Sequence, residues 1–84
     1  MLTAEQIRAA RALVRMEQKD LAERSGVSLP SIKRLEQMDG PLTATRVSTV
    51  EAIKSALEAV GIEFIPENGG GAGVRLTKPR GGQA

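Results

Sequence analysis

The sequence predicts a mainly α fold, four to five short helices in one small domain, closed by a short C-terminal β-hairpin. Three observations predict it. Apolar residues recur at helical spacing from Ile7 to Val60. Helix start and stop signals punctuate that stretch, among them Thr3 with Gln6, Gly26, and Gly61. The core is also built without aromatics, since Phe64 is the one Phe and Trp and Tyr are absent. Leu, Ile, Val, Ala and Met suit packed helices better than a β-sandwich, and 84 residues suffice for one such domain.

The first helix is expected over roughly residues 4–15. Thr3 and Gln6 have capping-box spacing, and Leu2 and Ile7 occupy the staple positions. Ile7, Ala10, Leu13 and Val14 then form one face, leaving Arg8, Arg11 and Arg15 toward solvent. The second helix runs from Gln18 to Ser25, with Glu17 as a weak cap and Gly26 as the turn that ends it. The third begins after Val27, capped by Ser28, with Pro30 in the first turn, where a missing N–H is harmless. Its inward face is Ile32 and Leu35; Leu29, Pro30, Lys33, Arg34 and Gln37 face out. Asp39-Gly40-Pro41 marks a loop from Met38 to Val47, after which Ser48 and Glu51 suggest a second capping box. The helix that follows carries Val50, Ile53 and Leu57 inward and stops at Gly61. Residues 62–65 and 74–77 read as two strands around the Gly69–Gly73 loop, and residues 78–84 as a flexible tail.

Composition removes several functions. Without Cys there are no disulfides or zinc–thiolate sites, and without His the commonest general base and metal ligand are missing. Neither an enzyme, a cofactor nor a metal is expected. No apolar run reaches the length of a membrane span or signal-peptide core, which points to a soluble, cytoplasmic protein. The net charge of +2 is too small to argue for nucleic acid by itself, although all of that excess lies in residues 1–37. Gly69–Gly73 does not read as a phosphate loop, because it lacks the Lys-Ser/Thr ending and leads into a strand.

The informative segment is Gln18–Leu35, whose Leu21, Ala22, Val27, Ile32 and Leu35 are spaced to clamp two short helices across the Gly26 turn. With Q-x-x-L-A, the turn glycine and I-x-x-L-E in register, residues 3–61 resemble the lambda-repressor-like, Cro-type helix-turn-helix regulators, also called the xenobiotic-response-element family. The resemblance implies that the third helix reads double-stranded DNA. It places Leu29, Pro30, Lys33 and Arg34 at base-facing positions, Ser28 and Ser31 near the DNA backbone, and Gln18 against a phosphate or a neighbouring side chain. Gln37 continues the outward face. Arg46, with the N–H groups of Thr49 and Val50, suits a phosphate at a helix N-terminus. Leu29 and Pro30 stand where this family often has amides, Glu17 where it has Ser or Thr, and the 38–47 loop is longer than its usual turn.

These readings divide the chain into a DNA-binding domain (1–61), a hairpin extension (62–77) and a tail (78–84). The leading function is a homodimeric repressor on an inverted repeat. The alternative is an antitoxin-like or adaptor protein whose hairpin holds a protein partner by strand addition.

Overall fold

In the computed structural model, which describes residues 2–78, the elements follow in the order α1 (Ala4–Val14), α2 (Gln18–Ser25), α3 (Leu29–Glu36), α4 (Val47–Ala59), β1 (Ile62–Ile65) and β2 (Gly73–Leu76). The fold is thus mainly helical, with four helices and a two-stranded antiparallel hairpin among the described residues. Of the expected tail, residues 79–84 lie outside the described residues.

The capping box on α1 forms in both directions. Thr3 Oγ1 accepts from the Gln6 N–H at 3.0 Å, and Gln6 Oε1 accepts from the Thr3 N–H at 2.9 Å. Ile7 and Ala10 face the core, and Leu13 and Val14 are partly buried against it. Arg15 closes the helix in the left-handed region, with φ 54°, so α1 stops one residue short of the expected end. Glu17 makes no side-chain bond at the start of α2, consistent with its poor capping chemistry. Gly26 ends α2 with φ 76°; a Cβ there meets nothing within 4 Å, so the demand for glycine is conformational, not steric. Ser28 caps α3 by accepting from the Ser31 N–H. Leu21, Ile32 and Leu35 are fully buried across the turn, with Ala22 and Val27 partly buried around them.

The segment from Gln37 to Arg46 is tied to the N-terminus. Thr3 and Pro41 form an isolated bridge, the Ala4 N–H donates to the Gly40 carbonyl at 3.1 Å, and the Leu42 N–H donates to the Leu2 carbonyl at 3.1 Å. Leu2 and Leu42 join the core from this loop. The expected Ser48–Glu51 capping box does not form. The carbonyl of Arg46 accepts from both Thr49 and Val50, so the helix takes up its hydrogen bonding at Arg46 and Ser48 is already helical. A serine cap must be extended, and the pattern therefore falls inside α4.

In the hairpin, Ile62 pairs with Leu76 and Ile65 with Gly73, which begins β2 one residue earlier than its apolar run. The hairpin shares the helical core. Ile62 is buried, the Thr77 N–H donates to the Gly61 carbonyl at 2.8 Å, and β2 lies along α1. Buried Gln6 completes the attachment: its Nε2 donates to the carbonyls of Ile65 at 3.2 Å and Gly73 at 2.9 Å. One residue thus caps α1 and holds the hairpin mouth.

Candidate nucleic-acid interface

Ile32 and Leu35 pin α3 to the core, which leaves its opposite face in solvent. Pro30, Lys33, Arg34 and Gln37 are exposed there, as is the capping Ser28, while Leu29 and Ser31 are half-buried. The side chains of Lys33, Arg34 and Arg46 make no hydrogen bond or ion pair among the described residues. Other arginines are committed within the fold: Arg11 to Glu36, Arg8 to backbone carbonyls, and Arg75 to Glu63. The Ser28 hydroxyl donates to the Ser31 hydroxyl at 2.8 Å, leaving the Ser31 proton directed by its surroundings.

Arg34 and Arg46 come together although twelve positions separate them. With Ser31, Thr45 and Thr49 they line a groove of about 450 Å³ between α3 and the start of α4. Its lining combines guanidinium groups with hydroxyls, a donor-rich surface for phosphate oxygens. The expectation of free N–H groups at Thr49 and Val50 is corrected: both donate to the Arg46 carbonyl at 3.1 Å. The unbonded amides of the first turn belong to Val47 and Ser48.

Gln18 points to a neighbouring side chain. Its Nε2 donates to Glu36 Oε1 at 3.0 Å, and the same carboxylate accepts two bonds from Arg11, each 2.6 Å. Arg11 Nη1 also donates to the Met16 carbonyl at 2.9 Å, and Arg8 donates to the Glu36 carbonyl. The reading of Arg8 and Arg11 as solvent-facing is therefore corrected. Both fasten the C-terminal end of α3 to α1. Sequence reasoning overlooked Glu36, although a signal existed: it lies four residues after Ile32, on the buried stripe of α3. Arg15 is exposed, as expected.

Elsewhere two carboxylates are perturbed. The Glu5 carboxyl lies below its ordinary value because it accepts from its own N–H and from that of Gly40, with Arg8 nearby. Glu63 is lowered by its two-pronged pairing with Arg75 across the hairpin, which in turn raises Arg75.

A clamped helix pair that presents a face with unpaired cationic side chains to solvent has the architecture of a helix-turn-helix module. The family profile described as helix-turn-helix matches residues 7–63, and the chain belongs to that family, the XRE-type, lambda-repressor-like regulators of transcription. No curated protein matches the chain significantly. Among the described residues no helix is long and apolar enough to cross a membrane.

Proposed function

We propose that the protein is a cytoplasmic, non-enzymatic repressor that binds an inverted-repeat operator as a homodimer and needs no cofactor. α3 enters the major groove, and the half-sites lie one DNA turn apart (~34 Å). Arg34 and Lys33 donate to guanine O6 and N7, and Leu29 with Pro30 packs on a thymine methyl. Gln37 extends the same face. Ser28, Ser31 and Arg46 take phosphates. Gln18 keeps one Nε2 hydrogen on Glu36 and has its second for a phosphate.

The observation that carries this reading is the exposed face of α3, where Lys33 and Arg34 have no acid to pair with among the described residues. The test is selection from a random double-stranded DNA pool at moderate salt. An enriched inverted repeat supports the reading, and its spacing checks the docking. Salt-sensitive bulk binding without enrichment would sink it and move the function toward a protein partner.

A further inference from the structure

A second groove, of about 370 Å³, lies between α4, β1 and the N-terminal segment. Leu2, Val50, Phe64 and Pro66 give it an apolar surface, and Val47 stands at its edge, 72 % exposed. Val47, Val50, Glu51 and Lys54 fall at i, i+3, i+4 and i+7, so they form one face of α4. Glu51 and Lys54 border the groove, and their side chains make no hydrogen bond or ion pair among the described residues.

We infer that a second copy of this chain occupies the groove, with the two α4 helices meeting antiparallel about a two-fold axis. The inference rests on the homodimer reading above and assigns its contact surface. An isologous interface must complement itself. A rim with one acid and one base does so, because antiparallel packing sets Glu51 of each chain against the partner's Lys54. Val47 of each chain adds its exposed side chain to the flank of that contact. The position fits a dimer on one duplex. Thr45 lines both this groove and the one that holds Arg34 and Arg46, and Val47 directly follows Arg46.

The test uses the full chain on the selected inverted repeat and on an isolated half-site, with thermal melts to confirm folding. Glu51→Lys and Lys54→Glu, each alone, set like charges against each other across the axis. Each variant is expected to bind the full site about tenfold more weakly and without cooperativity, while half-site binding stays near wild type. Mixing the two variants one to one restores cooperative binding, since one chain then offers two cations and the other two anions. A pairing within one chain cannot be rescued by mixing. Unchanged cooperativity in either variant, or a mixture no better than its components, assigns the groove to another occupant and overturns the inference. Independent filling of the two half-sites by wild-type protein overturns the homodimer reading itself.

Discussion

Arg11 on α1 and Glu36 at the end of α3 meet as a two-pronged ion pair, with Nε and Nη2 each 2.6 Å from a carboxylate oxygen. The Glu36 side chain is 4 % exposed and that of Arg11 20 %, so the pair is largely withdrawn from water. Gln18 shares the carboxylate, which makes it the meeting point of the first three helices. With Ile32 and Leu35 it fastens α3 to the rest of the helical domain.

Removing one member of such a pair leaves a buried charge without compensation. Arg11→Ala is expected to cost about 3–5 kcal/mol of stability in urea unfolding. The double variant Arg11→Met with Glu36→Leu should recover most of that loss, because it removes both charges and keeps apolar volume. A loss below about 1 kcal/mol for Arg11→Ala would mean that the pair behaves as a solvated surface contact.

Gln6 makes a different demand, since its two ends serve different elements. Gln6→Glu keeps an acceptor for the Thr3 N–H but turns a carboxylate toward the carbonyls of Ile65 and Gly73. The expected loss is about 2–3 kcal/mol, felt mainly in the hairpin. Hydrogen exchange should show β1 and β2 amides losing protection before those of α1. Hairpin protection unchanged from wild type would show that Ile62 and the Thr77–Gly61 bond hold the strands without Gln6.

Glu5 gives the stability a pH dependence of known sign. Its carboxyl titrates below the ordinary 4.5 in the folded state, so the unfolded chain binds the proton more readily. The stabilisation is complete above that ordinary value and disappears as pH falls through the lower folded-state value. Thermal melts of wild type and Glu5→Gln should therefore differ at neutral pH and converge in acid. A gap that persists in strong acid would trace the effect to something other than the charge.

Much of the fold was legible because its signals are local. Thr3 and Gln6 are three residues apart, Gly26 and Ser28 punctuate neighbouring helices, and Leu21, Ile32 and Leu35 repeat at helical spacing. The outward face of α3 followed from the same periodicity. What escaped depends on contacts distant in sequence. Arg11 and Glu36 lie 25 residues apart, and nothing near Arg11 distinguishes it from a solvated arginine. Leu42 sits in a stretch with turn chemistry, yet it is buried because the loop pairs with Leu2 and Thr3. Ser48 and Glu51 show the converse error, a local pattern overridden when the helix begins at Val47.

The DNA interface yields a prediction in which two arginines lining one groove behave differently. Arg34 projects from α3 toward base edges in the proposed docking, so Arg34→Ala should cost about 1–3 kcal/mol and relax preference at one base pair. Arg46 flanks α4, where the proposed docking sets it against phosphate alone. Arg46→Ala should weaken binding to all sequences alike and reduce the salt slope by about 1. Binding titrations at several salt concentrations, on the selected site and on single-base variants, separate the two effects. If Arg34→Ala weakens every sequence equally, Arg34 is a phosphate contact, and base reading passes to Lys33 and Leu29. If Arg46→Ala instead changes base preference, α3 lies in the groove at a different angle from the one proposed.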